Sequence, residues 1–309
     1  MAVDDRQMTA EPRPKRVLII ANPSAGQGSD LAAVVAAGLK DRGAMVEVIE
    51  TRQSGDVERA AAADGDHDVI AVAGGDGSIN EAVNGMARSD RPAALALIPA
   101  GTANVLAAEI GLAVDADAII DTILHGRPHP LALGRVNARY FVLMVGIGLD
   151  AAVVAAVPAG LKRRTGKAAY LVTFFKLWLK GWQRPLRAVI DGQERRAAGL
   201  ILANARHYAG RFEMARQADI SAPTLEIVVF KTSGRLANLW LGLLMIAGRL
   251  AQSRLIEITT ARQILVTAEG QDVLPVQVDG DDWGALPIDC TAGAATITLL
   301  APPSRDTAT

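Results

Sequence analysis

The apolar run Asp68-Val69-Ile70-Ala71-Val72-Ala73 leads directly into Gly74-Gly75-Asp76-Gly77-Ser78-Ile79-Asn80-Glu81. A short continuous apolar stretch that stops at glycines predicts a buried strand, and the residues beyond it predict a helix. Three glycines around one acid let the backbone approach a ligand closely and take up φ > 0 where needed. The free amides at the start of the helix and the positive end of its dipole point at the same spot, which suits a phosphate. Ser78 is expected to cap that helix, with Glu81 three residues on completing a capping box. The glycine spacing is neither Gly-x-Gly-x-x-Gly nor Gly-x-x-x-x-Gly-Lys-Ser, so neither the dinucleotide fingerprint nor the P-loop applies. Taken alone, the stretch also fits a tight strand-to-helix turn in any α/β protein.

Two further segments repeat the pattern. Lys15-Arg16-Val17-Leu18-Ile19-Ile20-Ala21 ends in Asn22-Pro23-Ser24-Ala25-Gly26-Gln27-Gly28 and a helix from Ser29 to about Leu39. Leu95-Ala96-Leu97-Ile98 ends in Pro99-Ala100-Gly101-Thr102-Ala103-Asn104 and a helix from Val105 to Ile110. With a further strand at Ala44–Glu50, the chain alternates strand and helix as far as Arg127, the pattern of a parallel, helix-covered sheet. Ligands of such sheets sit outside the carboxyl ends of the strands, where the three loops would converge. Beyond His129 the texture changes to short strands: Leu131–Val136, Tyr140–Val145, Leu186–Asp191, Ala198–Ala203, Leu225–Phe230, Glu257–Thr260, Gln263–Thr267, Pro275–Val278 and Ala295–Leu300. They predict a second domain rich in antiparallel sheet, with a boundary near Gly126–Leu133.

Length supports that division, because 309 residues exceed the usual single domain. Half the residues are hydrophobic, enough for a sizeable core, and a net charge of −1 speaks against nucleic acid as a partner. The single Cys290 excludes a disulfide framework and fits a reducing compartment, as a packed structural thiol. The histidines His67, His125, His129 and His207 are scattered, so structural or solvated roles are expected. Residues 1–14 lack the apolar core of a signal peptide and, like 304–309, are expected to be disordered.

Two helical insertions bear on partners. Between Ala151 and Ile190 there is no acid, but Lys162, Arg163, Arg164, Lys167, Lys176, Lys180, Arg184 and Arg187 surround an apolar stretch containing Phe174, Phe175, Trp178 and Trp182. A second apolar stretch, Leu236 to Ala251, is flanked by Arg235 and Arg254. Neither reaches the roughly 20 uninterrupted apolar residues that cross a bilayer. They read either as buried core helices or as a surface lying on an anionic leaflet, with Lys176, Trp178, Lys180 and Trp182 at headgroup level.

Asn-Pro-Ser-Ala-Gly at 22–26, Gly-Gly-Asp-Gly-Ser-Ile-Asn-Glu at 74–81 and Pro-Ala-Gly-Thr-Ala-Asn at 99–104 resemble, in order and spacing, the diacylglycerol kinase catalytic domain. Sphingosine, ceramide and bacterial lipid kinases share that superfamily. The resemblance runs from about Lys15 to about Leu300. It includes Gly146-Ile147-Gly148-Leu149-Asp150-Ala151, Gly166-Lys167-Ala168-Ala169-Tyr170, Ala203-Asn204 with Tyr208 and Gly210, and Val278-Asp279-Gly280-Asp281. It implies a Rossmann-like nucleotide domain (15–130, joined by the last strand, 295–303) and a mostly antiparallel β-sandwich for the lipid (131–292). It also implies an ATP-dependent, Mg²⁺-assisted lipid kinase in the cytoplasm, attached peripherally to the inner face of the membrane.

Within that reading, backbone amides of Asn22, Pro23–Gly26 and Gly74–Ser78 cradle ATP, together with Ile79, Glu81 and Gly101. The hydroxyls of Ser24, Ser78 and Thr102 and the amides of Asn80 and Asn104 add directional bonds. Thr51 matches a nucleotide-contacting threonine of the family, and Asp76 would hold Mg²⁺ against the phosphates. The family carries Asp-Gly-Glu where this chain has Asp279-Gly280-Asp281 and places its base for the lipid hydroxyl there. The shorter Asp281 keeps the carboxylate but changes its reach by about one ångström, which matters for positioning. The base role is therefore shared between Asp281 and Asp279, with Asp76 a weaker rival; Asp-Gly is equally a common hairpin turn. Many bacterial members carry Asp-Gly-x-Leu-Asp, with an Asp for a structural Mg²⁺, where this chain has Ala222; Asp219 is a nearby substitute, and a preserved structural metal is not expected. An NAD-kinase-like soluble-substrate enzyme and a catalytically silent nucleotide-binding protein recruited to membranes are the alternatives. The lipid and the oligomeric state stay open, a homodimer included.

Overall fold

The computed structural model describes residues 14–26, 28–89, 92–157, 167–180, 184–208, 212–232, 234–270 and 273–303. The expected disordered tails, apart from Pro14, and Trp182 lie outside them. The first third of the chain alternates as the apolar runs require: β1 (Arg16–Ala21), α1 (Gly28–Asp41), β2 (Met45–Glu50), α2 (Asp56–Ala62), β3 (Val69–Gly74), α3 (Asp76–Met86), β4 (Ala94–Pro99), α4 (Val105–Glu109) and α5 (Ala116–His125). Parallel pairing gives the order β2-β1-β3-β4. All six residues of β3 are buried, as a strand with helices on both faces must be.

The remaining elements are β5 (Arg127–Val136), β6 (Arg139–Phe141), β7 (Met144–Ile147), α6 (Leu149–Ala156), α7 (Lys167–Lys180), β8 (Leu186–Ile190), β9 (Gln193–Ala197), β10 (Gly199–Ala203), β11 (His207–Tyr208), β12 (Phe212–Glu213), β13 (Leu225–Phe230), α8 (Arg235–Ile246), β14 (Ile256–Ala261), β15 (Gln263–Ala268), β16 (Pro275–Val278), β17 (Asp281–Ala285) and β18 (Ile288–Ala301). Strands β14-β13-β10-β7-β16-β17 form a wholly antiparallel second sheet. The α/β architecture with a parallel sheet first and an antiparallel β-rich part after it agrees with the expectation.

Three details differ from the sequence reading, each for a physical reason. The single strand expected at Tyr140–Val145 is broken into β6 and β7, because the amides of Val142, Leu143 and Met144 turn to a buried carboxylate. The polar segment Gln193–Ala197 forms β9, joined to β8 by Asp191 and Gly192, both at positive φ (44° and 81°), so turn chemistry overrides an unpromising composition. β18 begins at Ile288 rather than near Ala295; its first residues pair with β15, and after an irregularity between Thr291 and Ala295 it reaches β4, pairing with β5 on both sides of that break. The buried core likewise runs across both sheets, joining Ile19, Ile70 and Leu95 to Val142, Ile201 and Val228.

Candidate active site

β1, β3 and β4 are neighbours and parallel, so their carboxyl ends bring the three small-residue loops side by side. The Asn22 amide donates to the Ala73 carbonyl (2.9 Å) and the Ala100 amide to the Gly74 carbonyl (3.0 Å), extending the ladder into the loops. Asn22 Nδ2 donates to Ser78 Oγ (2.9 Å), and Asn22 Oδ1 accepts from the Ser24 amide (3.0 Å). A Cβ on Gly75 would stand 3.2 Å from Gly101 Cα, and one on Gly101 would fall on Gly75 Cα. Gly75 is therefore small so that two loops can touch; its φ of −95° asks for no left-handed freedom.

Ser78 is not the cap of α3. The helix starts at Asp76, with Gly75 before it and no side chain capping it. The amides of Asp76, Gly77 and Ser78 thus belong to the first turn and have no partner within the helix. The capping box fails because both its side chains are spent elsewhere: Ser78 is buried against Asn22, and Glu81 accepts from Ser54 Oγ (3.0 Å). Asp76 turns away to cap the next helix, accepting from the amides of Val105 (2.8 Å) and Leu106 (3.4 Å). Burial raises its carboxyl to about 6, helped by the nearby Asp279 and Asp281 carboxylates and opposed by those two amides.

Several expected ligands are committed inside the protein. Asn80 donates to Asp279 Oδ2 (2.7 Å) and to the Tyr140 carbonyl (3.1 Å), while its Oδ1 accepts from Arg139 Nε (3.0 Å) and an Arg139 terminal nitrogen (2.7 Å). It faces the second sheet and is not a phosphate ligand. Asn104, at φ 47°, clasps its own loop by bonding both the amide and the carbonyl of Gly101 (2.9 and 3.0 Å). Thr51 is buried, its hydroxyl donating to the Ala21 carbonyl (3.2 Å), and Ile79 is core. Pro23, Ser24, Gly26 and Thr102 are exposed at the loop rim, with Ala25 beside them.

The two acids of the late motif part company. Asp279 is buried, its Oδ1 accepting from the amides of Leu143 (2.8 Å) and Met144 (2.9 Å), its Oδ2 from Val142 (2.9 Å) and Asn80. Burial pushes its carboxyl up against the pull of these donors. With every lone-pair direction occupied, Asp279 holds β6 and β7 onto α3. Asp279 and Gly280, at φ 50° and 87°, make the two-residue turn that sends Asp281 out at the start of β17. The Asp281 carboxylate, exposed, lies where a Cβ on Gly77 would be 2.9 Å from its Oδ2, against the open first turn of α3.

Residues 16–136 match the family described as Diacylglycerol kinase catalytic domain, and residues 143–301 match the YegS C-terminal NAD kinase beta sandwich-like domain. A diacylglycerol kinase of Mycobacterium tuberculosis (strain ATCC 25618 / H37Rv) is 30% identical over 301 residues, 93% of this chain and 95% of that one. The chain belongs to the diacylglycerol kinase family. A diacylglycerol kinase of Bacillus subtilis (strain 168) is 29% identical over 288 residues, covering 88% of this chain and 92% of its own. The crystal structure of a diacylglycerol kinase from Bacillus anthracis str. Sterne shares the fold at a TM-score of 0.76 and 23% identity, covering 95% of this chain and 99% of that one.

Beside the three loops, Asp76 and Asp281 are the carboxylates that could hold a divalent cation. The Asp281 carboxylate is near enough to help raise the Asp76 carboxyl, and hard carboxylate oxygens are the donors that Mg²⁺ takes. Among the described residues no cluster of three acids, histidines or cysteines would hold a metal unaided. Near Ala222, Asp219 Oδ1 accepts from the amide (2.9 Å) and hydroxyl (2.7 Å) of Ser221, whose bonds lower its carboxyl.

Sequence reasoning assigned no role to Asp150 or Gln277, although Asp150 lies in a quoted motif. Asp150 accepts from Gln277 Nε2 (2.9 Å) and from the Tyr208 hydroxyl. Of the expected membrane residues, Lys176 is exposed and Lys180 ends α7. Trp178 is half-buried, its indole N–H donating to the Arg235 carbonyl (2.8 Å), so it joins α7 to α8 instead of standing free. Both helices carry exposed apolar side chains: Val172, Phe175 and Leu179 on α7, and on α8 Leu236 (82% exposed), Leu239, Trp240, Leu243 and Ile246, which recur at helical spacing along one side.

Proposed function

We propose that this chain transfers the γ-phosphoryl group of ATP to a hydroxyl of a membrane-embedded, diacylglycerol-like lipid. The observation that carries the reading is the uncapped first turn of α3 with the Asp281 carboxylate set against it across Gly77. The amides of that turn and the exposed rim of the 22–26 and 101–104 loops receive the phosphates, because helix-start amides and the dipole favour anions. Asp281 accepts the proton of the attacking hydroxyl, and Asp279 keeps the turn that carries it fixed to α3 through Asn80. Asp76 and Asp281 would hold Mg²⁺, which when bound neutralises charge on the phosphates.

The acceptor is read as a lipid because of the α8 face and its basic surroundings. An exposed apolar stripe beside Arg235, Arg249 and Arg254, with exposed Lys176 on the helix tied to it by Trp178, complements an anionic leaflet. No helix among the described residues is long and apolar enough to cross a membrane. Labelled ATP offered with vesicles containing diacylglycerol, a sphingoid base or ceramide, and separately with NAD, tests the reading. Label is expected on the diacylglycerol-like lipid in the presence of Mg²⁺. Label on NAD alone would establish the soluble-substrate alternative, and nucleotide binding without any transfer would leave only a recruitment role.

A further inference from the structure

We propose that Asp150, acting through Gln277, is a positioning residue that aims Asp281 at the open turn of α3, an inference that rests on Asp281 being the base. Asp150 stands in the first turn of α6, outside the loops already described. One of its carboxylate oxygens accepts from the Tyr208 hydroxyl and the other from Gln277 Nε2 (2.9 Å). Gln277, buried in β16, accepts with its Oε1 from the Gly280 amide (2.8 Å). Gly280 is the second residue of the turn, and Asp281 follows it directly.

The chemistry of this chain of bonds is directional. An ionised carboxylate only accepts, whereas an amide side chain has one accepting and one donating end. Asp150 therefore obliges Gln277 to present its NH₂ group, which leaves the carbonyl end for Gly280. With the opposite orientation the NH₂ group would meet the Gly280 N–H, donor against donor, and the two-residue turn would lose its side-chain anchor. A Cβ on Gly146 would collide with both the Asp150 carboxylate and Gln277, so the backbone of β7 is kept bare where the pair meets. Burial pushes the Asp150 carboxyl up, and its Tyr208 and Gln277 donors oppose that only in part.

Neither Asp150 nor Gln277 touches the proposed reacting atoms, so their effect should appear in turnover and in the dynamics of the turn. Gln277→Glu sets a second carboxylate against Asp150. Adding Asp150→Asn rebuilds the same chain with polarity reversed: the introduced amide donates to the introduced carboxylate, which still accepts from Gly280. In Gln277→Glu, kcat at saturating ATP should fall about 10- to 100-fold, the cost of misplacing a reacting group, with the KM for ATP unchanged. Amide exchange at Gly280, followed by NMR, should accelerate. The double variant should recover both kcat and the protection of Gly280. Should Gln277→Glu fail to fold, Gln277→Met removes the same bond without introducing charge and should show the same fast exchange. Unchanged kcat and unchanged Gly280 protection in the single variants, or no recovery of either in a folded double variant, would overturn the inference. Exchange needs no substrate, so a parent chain that phosphorylates no lipid would defeat the functional reading while Gly280 still decides this one.

Discussion

Asp281 lies across from Gly77 at the start of α3, whereas two residues earlier the Asp279 carboxylate is consumed by four donors. Asp281→Asn is therefore expected to reduce kcat by about 10²–10⁴-fold, the usual loss with a general base. The urea midpoint should stay where it is, because the side chain is exposed. A normal kcat in this variant would remove Asp281 from the mechanism. Asp76 leads to a prediction in pH. Its carboxyl rises from 3.8 to about 6 on folding, so over that interval the folded chain holds a proton that the unfolded chain has released. The associated stability is present below the lower value and lost as pH rises through the upper one. Asp76→Asn, which keeps an acceptor for the Val105 amide, should be more stable than the parent at neutral pH and lack that sloping loss. Urea unfolding at a series of pH values checks this; an unchanged slope would assign it to another group.

At the scale of elements, the proposed membrane contact draws on both α7 and α8. The lysine- and aromatic-rich α7 spends Trp178 on the Arg235 carbonyl but exposes Val172, Phe175 and Leu179, and α8 carries a second outward apolar stripe. Replacing Leu236 and Trp240 with Ser should weaken sedimentation with anionic vesicles and raise the KM for lipid, with the KM for ATP unchanged. Lys176→Glu should weaken it further, and added salt should weaken the parent's binding, since charges separated by more than about 10 Å are screened at 0.1 M. Equal binding to neutral and anionic vesicles, indifferent to these changes, would mean that the stripe serves another purpose. Helix α4 illustrates a different dependence between elements: only five residues long, it owes its start to Asp76 at the beginning of α3 and carries at its end Glu109, which holds Arg206 (2.8 Å) and His207.

Across the whole molecule, β18 runs from β15 to β4, the hydrophobic core crosses both sheets, and Asp279 binds α3 to the β6–β7 segment. Heating should therefore give one cooperative transition, with calorimetric and van't Hoff enthalpies equal. Asp279→Ala would leave three backbone amides and the Asn80 amide without their acceptor, at about 1–3 kcal/mol for each donor left buried and unsatisfied. Its midpoint should fall steeply, in contrast to Asp281→Asn. Two separate endotherms in the parent would show that the sheets fold independently.

Local chemistry determined much of this from the sequence itself. Apolar runs ending in glycine specify β1, β3 and β4, and parallel pairing then has to bring their loops to one edge, so the convergence of the three loops was legible before any coordinates. Strand period and turn residues likewise predict β13 and β16 to the residue. Partner choice across the fold was not legible, because it depends on groups that meet from far apart in the chain, such as Asn80 and Asp279, 199 positions apart. Ser78 looks like a helix cap until Asn22 takes its hydroxyl, and Asn80 looks like a phosphate ligand until Arg139 and Asp279 surround it. Asp279 and Asp281 are chemically identical in sequence; burial under three backbone amides makes one an anchor, whereas the other stands exposed at the start of β17. Only the tertiary structure could separate them, since a carboxylate's role is set by how many donors its surroundings supply.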